Sequence, residues 1–150
     1  MKLSETFMKI KKNKKNISIA KLKKNLWDSF SRWYRLKNAD IDGNCVCYTC
    51  GAVKNWKQMQ AGHFESRRHS NTFIDEDNIR IQCVSCNVFL NGNYQAFARK
   101  LVAEKGLGIL EDLHIRAVQP FKWNRIEMSE QIKTFRIKAK TEAGRLGIKI

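Results

Sequence analysis

An α+β fold, a zinc-stapled ββα core with flanking α-helices, is predicted by three features of this 150-residue sequence. Two Cys-x-x-Cys pairs, Cys47/Cys50 and Cys83/Cys86, stand 32 residues apart. Short strand-like runs lie between them. Outside them, apolar residues recur at helical spacing. One proline and eight glycines exclude a low-complexity chain, and 43% hydrophobic residues suffice for one packed core. The expected organisation is a basic tail over 1–17, then a single helical domain over 18–150 with its zinc-bound core at about 45–95.

The elements follow in order. Lys2, Lys9, Lys11, Lys12, Lys14 and Lys15 face a single acid, Glu5, in the tail. Such a tail either touches phosphates or only keeps the chain soluble. Ile19, Leu22, Leu26, Phe30 and Trp33 predict an amphipathic helix over 18–38, with Ser18 as its cap. Asn38-Ala39-Asp40 and Asp42-Gly43-Asn44 read as turns. Cys47-Tyr48-Thr49-Cys50-Gly51 reads as a zinc knuckle. Trp56 to Phe64 and Asn78 to Gln82 read as strands, joined by a polar basic loop through Arg67 to Asn71. A helix is expected from Cys83 to Leu90, broken at Asn91-Gly92-Asn93. Another covers 94–105, with Tyr94, Phe97, Leu101 and Val102 inward and Gly106 as its stop. A short helix covers Leu110 to Ala117. The last runs from about Asn124 to Arg145 after Pro120, with Met128, Ile132, Phe135, Ala139 and Leu146 as its apolar stripe.

The net charge of +15 calls for a polyanionic partner. A basic protein of membrane surfaces would instead show an amphipathic anchor and little chemistry elsewhere. No apolar run approaches the ~20 residues of a membrane span. The N-terminus has no signal-peptide core, so a cytoplasmic protein is expected. In a reducing compartment, paired Cys-x-x-Cys means metal rather than disulfide. Four thiolates can hold one tetrahedral Zn²⁺. The ion would offset the cost of closing the loop between the pairs, contributing on the order of 10 kcal/mol. Cys45 lies out of ligand register and is read as a non-ligand.

Between the pairs sit His63 and Asn78, and Asn87 follows Cys86 directly. Phosphodiester hydrolysis needs an activated water and neutralisation of developing charge. A His can take the water's proton, a divalent cation can neutralise charge, and an Asn can orient the His through a carbonyl. A hairpin would bring His63, Asn78 and Asn87 near one face. Each has a plainer reading: His63 as a core histidine, Asn78 as a turn residue, Asn87 as a helix cap. Asn91 and Asn93 are rivals of Asn87 for the catalytic metal. His69 reads equally as a phosphate contact or a catalytic group. The order His, Asn, then a ligand beside a Cys-x-x-Cys is that of HNH (His-Me finger) nucleases.

The chain closely resembles the NinG/Rap family of lambdoid-type phage recombination proteins. The matching stretches are Phe30-Ser31-Arg32-Trp33-Tyr34-Arg35-Leu36-Lys37-Asn38-Ala39-Asp40, Cys47-Tyr48-Thr49-Cys50-Gly51, and Ala61-Gly62-His63-Phe64-Glu65-Ser66-Arg67-Arg68-His69. Asp75-Glu76-Asp77-Asn78, Gln82-Cys83-Val84-Ser85-Cys86-Asn87 and Gly92-Asn93 complete the set. The resemblance runs from about residue 22 to about residue 140. It implies a structure-specific endonuclease acting on Holliday junctions and D-loops with Mg²⁺ or Mn²⁺. It places His63 as base, Asn78 as support and Cys47, Cys50, Cys83 and Cys86 as structural zinc ligands. Asn87 stands where many HNH enzymes have a metal-binding His. Two departures are visible. Gly62 replaces the Asp that many HNH enzymes carry before the catalytic His. Glu65 stands where an apolar residue is expected, either as a surrogate ligand or as an exposed strand-end residue.

Arg67, Arg68, His69, Lys100, Lys133, Arg136 and Lys140 are the candidate DNA contacts. Phosphate contacts give affinity without sequence information. No dedicated base-reading helix is visible, so DNA shape is the expected determinant. Junction cutting on opposed strands suggests a homodimer. A phage recombinase or single-strand-binding protein is a further expected partner. Two other readings stand beside the junction nuclease: a non-catalytic zinc module assisting recombination, and a sequence-specific HNH endonuclease.

Overall fold

The computed structural model describes residues 17–150. The basic stretch over 1–16 lies outside the described residues. Helix α1 (Ile19–Lys37) opens the fold. Ser18 starts it as predicted, its side chain accepting from the Lys21 backbone N–H. A first antiparallel pair follows, β1 (Asn44–Val46) with β2 (Val53–Asn55). A second pair is β3 (Met59–His63) with β4 (Ile79–Cys83). Helices α2 (Tyr94–Lys105), α3 (Ile109–Val118) and α4 (Arg125–Arg145) complete the chain. The architecture is mixed α+β with two small sheets.

The β3–β4 hairpin sits between two apolar layers. On one side, Met59, Ala61, Ile79 and Ile81 join Phe30, Trp33, Tyr34 and Leu36 of α1 and Ala139 and Ala143 of α4. Leu26 and Phe30 of α1 are 0% exposed. Each such burial contributes about 1.5–3 kcal/mol, so α1 is held by tertiary packing rather than by propensity. On the other side, Phe64 packs with Phe97 and Leu101 of α2 and Ile109 and Leu113 of α3. A third cluster, Leu22, Leu26, Phe73, Met128 and Ile132, ties the 64–78 loop to both long helices. The hairpin that carries His63 is thereby fixed from both faces.

Polar ties set the remaining geometry. The Tyr34 hydroxyl donates to the Ile79 carbonyl at 2.7 Å. Arg80 donates to Glu104 on α2, and Tyr48 donates to the same carboxylate. Asp75 and Asp77 pair with Arg116, Asp77 also with Lys105, and Glu76 with Lys37. The acidic run before Asn78 is therefore engaged in docking α1, α2 and α3.

The structure departs from the expected elements in four places. Trp56 begins a short 3-10 turn (Trp56–Gln58) rather than a strand, because Asn55 Oδ1 caps the Lys57 N–H. The β1–β2 hairpin is an element without a sequence counterpart. The segment after the second cysteine pair is a π-helix over Ser85–Phe89 instead of an α-helix reaching from Cys83 to Leu90. Leu90 caps it, and three consecutive residues of positive φ follow, Asn91 (φ 48°), Gly92 (φ 87°) and Asn93 (φ 48°). Asn and Gly are the residues that tolerate this conformation. Tyr94 is 58% exposed rather than inward, although its ring stacks on Phe64.

Candidate functional site

Two parts make up the site: a cysteine cluster and an adjoining basic groove. Cys47 and Cys50 lie where β1 leads into the knuckle. Gly51, at φ 78°, turns the chain back toward β2. Cys83 ends β4, and Cys86 lies in the π-helix. The four Sγ atoms lie within 4.8 Å of one another. That spacing and an all-thiolate donor set fit one tetrahedral zinc ion. Thr49 Oγ1 lies 3.4 Å from Cys47 Sγ and accepts from Gln82 Nε2. Cys45 stands outside the cluster. Its thiol donates to the Arg35 carbonyl, and burial pushes it up to about 11.

His63 ends β3 beside the groove. Its Nε2 lies 2.9 Å from the Phe73 carbonyl oxygen. A carbonyl only accepts, so Nε2 carries the hydrogen and Nδ1 keeps the lone pair. Its ring lies 4.7 Å from that of Trp27. Burial, together with Arg67 and against the Phe73 hydrogen bond, lowers the imidazole to about 4. Near neutral pH it is an uncharged ring with one free nitrogen, the form of a general base.

That shift has a stability consequence. The unfolded chain takes up the proton near 6.5 and the folded one only near 4. Stability from the neutral ring is therefore complete above 6.5 and is lost as pH falls toward 4. The stability gap between wild type and His63→Ala in urea is expected to narrow by about 1 kcal/mol between about pH 7.5 and about pH 5.5. An unchanged gap would show that the buried ring is not held neutral.

Asn78 is fully buried and does not reach His63. Its Oδ1 accepts from the Glu65 N–H, and its Nδ2 donates to the Glu65 and Thr72 carbonyls. It clamps both ends of the loop that delivers the Phe73 carbonyl to His63. Glu65 is largely covered and pairs with His114 at 3.4 Å, so it is neither an exposed strand-end residue nor directed at the groove.

Asn87 lines the groove together with His63, Ala61, Ser66, Arg67, Asn91 and Trp27. Its Nδ2 donates to Gln60 Oε1, and its Oδ1 has no hydrogen-bond partner among the described residues. Asn93 is engaged elsewhere, with its Nδ2 lying 3.6 Å from Cys86 Sγ. The structure thus brings His63, Asn87 and Asn91 to one groove and sets Asn78 behind it.

Gly62 explains the missing Asp. A Cβ there would fall 2.0 Å from Gln82 Oε1 and 3.0 Å from Asn87 Oδ1. Gln82 is 0% exposed and cannot swing aside, because its Nε2 is tied to Thr49 Oγ1 and the Gly92 carbonyl. Gln82 Oε1 itself is buried with no hydrogen-bond partner among the described residues. The amide of Gln82 fills the space that an Asp at 62 would need. Gly62→Ala is accordingly expected to destabilise the protein by about 1–3 kcal/mol, read from the urea midpoint. Gly62→Asp should be worse still. Wild-type stability in either variant would show that Gln82 is freer than its hydrogen bonds imply.

The groove continues past Arg35, Lys57, Gln60, Asn87 and Val88. Arg35, Lys57 and Arg67 supply its charge, and among the described residues no carboxylate lines either part. Arg67 also borders a second depression with Lys23, Lys24 and Arg68. Burial and the Arg67 guanidinium hold the Lys23 ammonium below its usual value. The other candidate contacts lie elsewhere. His69 turns with the loop, its N–H bonded to the Ser66 carbonyl. Lys100 lies over the Tyr48 ring. Arg136 and Lys140 border a separate groove with Arg32, between α1 and α4. Lys133 is exposed on α4. Arg35, Lys57, Trp27 and Gln82 are the site residues that sequence patterning does not single out. Their roles arise only when α1 and the zinc segment close over β3.

Comparison with known proteins bears on this assembly. The family model of the NinG protein of bacteriophage lambda matches residues 2–144. The chain belongs to the NinG family. The matched span of this NinG-family chain takes in both cysteine pairs, His63, Asn78, Gln82 and Asn87. No curated protein and no solved structure matches it. No helix among the described residues is long and apolar enough to cross a membrane.

Proposed function

We propose that this NinG-family protein is a structure-specific DNA endonuclease of the HNH type, cutting branched recombination intermediates such as Holliday junctions and D-loops. The observation that carries the reading is His63: a neutral imidazole whose Nε2 is occupied by a backbone carbonyl, at the edge of a cationic groove that no described carboxylate lines. In this reading Nδ1 takes a proton from water. The Phe73 carbonyl holds the ring and stabilises the imidazolium that forms. Arg67, Arg35 and Lys57 neutralise the bound phosphodiester. Asn78 acts as a positioning residue through the 65–73 loop.

A divalent cation, Mg²⁺ or Mn²⁺, would stabilise charge on the scissile phosphate and the leaving oxygen. The donors present are amide oxygens. Asn87 lines the groove and its Oδ1 has no hydrogen-bond partner among the described residues, whereas Gln82 is 0% exposed and lines neither part of the groove. The groove thus offers a hard cation amide oxygen but, among the described residues, no carboxylate, so water and the phosphate itself would have to supply most of its ligands.

One observation favours a second reading. A groove lined by cations without carboxylates suits anion binding without hydrolysis, which is the non-catalytic zinc module that assists recombination. A labelled four-way junction and a matched linear duplex, each with and without Mg²⁺ or Mn²⁺, separate the two. Metal-dependent, junction-selective cutting supports the nuclease. Tight junction binding without cutting in either metal overturns it in favour of the module. Cuts at one fixed sequence in both DNAs would point to a sequence-specific HNH enzyme.

A further inference from the structure

The turn after the second cysteine pair exposes apolar side chains that nothing among the described residues covers. Phe89 is 76% exposed and Leu90 56%, with Val88 at 50% beside them. They sit at the end of the π-helix, and the left-handed run Asn91-Gly92-Asn93 immediately folds the chain back. The Leu90 N–H is bonded to the Ser85 carbonyl, and the Gly92 N–H to the Cys86 and Asn87 carbonyls. Phe89 and Leu90 are thus the tip of a short backbone loop pinned at the cysteine cluster. Irregular π turns of this kind recur at functional sites. Two adjacent large apolar groups on a pinned tip cost solvation without contributing to the core.

The tip has a defined position. Val88, just before it, lines the basic groove with Arg35, Lys57 and Arg67. Asn91, just after it, lines the groove beside His63. Phe89 and Leu90 line neither part of the groove themselves, but the residues flanking them do, which sets the tip at its rim. The occupant follows from charge. A second copy of a chain carrying +15 would bring its own positive charge to a groove already cationic. Two side chains also fall far short of the roughly 1,000 Å² that a stable protein interface needs. A nucleic acid offers both complements: phosphates for the groove and base faces for the tip.

We propose that Phe89 and Leu90 form a wedge that stacks against an unstacked base pair at the branch point of DNA lying in the groove. The inference rests on the DNA reading above and deepens it, because it supplies what discriminates branched from linear duplex. In continuous duplex the wedge must break a stacked step, which costs a few kcal/mol. At a branch point that stacking is already lost. Base–aromatic stacking contributes about 1–3 kcal/mol per base, or roughly 5–150-fold in affinity.

The test uses the full chain with zinc bound and magnesium omitted, so that binding is read without cutting. A four-way junction carries 2-aminopurine at the branch point, and a linear duplex carries it internally. Wild type should raise the junction's 2-aminopurine emission and bind the junction about tenfold or more tighter than the duplex. The double variant Phe89→Ser/Leu90→Ser should lose the emission rise and most of the preference while binding linear duplex as wild type does. Both side chains are exposed, so zinc content and circular dichroism should be unchanged. A double variant that keeps the emission rise and the preference overturns the wedge. So does one that leaves DNA binding intact but lowers the sedimentation coefficient, which would make the tip a contact between copies. Wild type that binds no DNA overturns both this inference and the DNA reading. Binding without cutting when metal is restored removes only the nuclease, and the wedge is still decided by emission and preference.

Discussion

Cys83→Ser is expected to strip the protein of stoichiometric zinc and to unfold its central segment. Cys83 is the last residue of β4 and pairs in register with Met59, the first residue of β3. Its sulfur lies 3.8 Å from Cys50 Sγ, the separation of two thiolates sharing one tetrahedral ion. A structural zinc contributes on the order of 10 kcal/mol to small folded units. A domain of this size is stable by about 5–15 kcal/mol in total. Removing one ligand therefore threatens most of that margin. The loss should not stop at the cluster. Thr49 and Gln82 connect Cys47 Sγ to the space over Gly62, and Gly92 accepts from the same Gln82 amide. Without zinc the tip, Asn87 and the floor of the groove lose their anchor together. Metal analysis should fall well below one zinc per chain, and tryptophan emission should shift red as Trp56 and Trp33, now buried, meet water. Cys45→Ser is the matched control: it should keep its zinc, because Cys45 lies outside the cluster. Wild-type zinc content in Cys83→Ser would sink the four-cysteine assignment.

What the sequence made legible follows from period and spacing. The helices over 18–38, 94–105 and 124–145 were readable because their apolar residues repeat at the helical period, and they form within a residue or two of those bounds. The cysteine pairs were readable because a cluster that could hold a metal ion needs its ligands at a local spacing. The β1–β2 hairpin was not. Its strands are three residues each, Val46 and Val53 are exposed, and the knuckle rather than any alternation brings them together. The role of Gln82 was equally hidden, since it depends on the β3–β4 register that sets Gln82 against Gln60 and on the return of Gly92. Arg35 reads as one more basic residue on α1. Only the packing of α1 across β3 turns it into the groove, where its Nη1 donates to the Trp56 carbonyl. Local chemistry could be read along the chain, whereas the groove is a product of tertiary contacts.

His63→Ala is expected to reduce cutting of a four-way junction by about 100-fold to 10,000-fold, the usual contribution of a positioned general base. Junction binding should change by less than about threefold, because the cations of the groove are Arg35, Lys57 and Arg67 rather than a histidine that is neutral in the free protein. Reading binding and cutting separately is what makes the variant decisive. A phosphate contact would lose both together. A merely structural histidine would lose binding together with cutting, whereas a loss of stability alone does not discriminate, since the ring is packed on Trp27 and bonded to the Phe73 carbonyl in either role. An imidazole held to about 4 is a weak base in the free protein, but the negative charge of a phosphodiester in the groove favours the imidazolium and moves the group back toward the working pH. Strengthening of the base on substrate binding has its own signature. The rate of bound substrate should depend on a higher pKa than the ratio of rate to Michaelis constant does, and the two profiles of wild type should separate accordingly. If His63→Ala cuts junctions at the wild-type rate, the base is some other group and the HNH assignment fails with it.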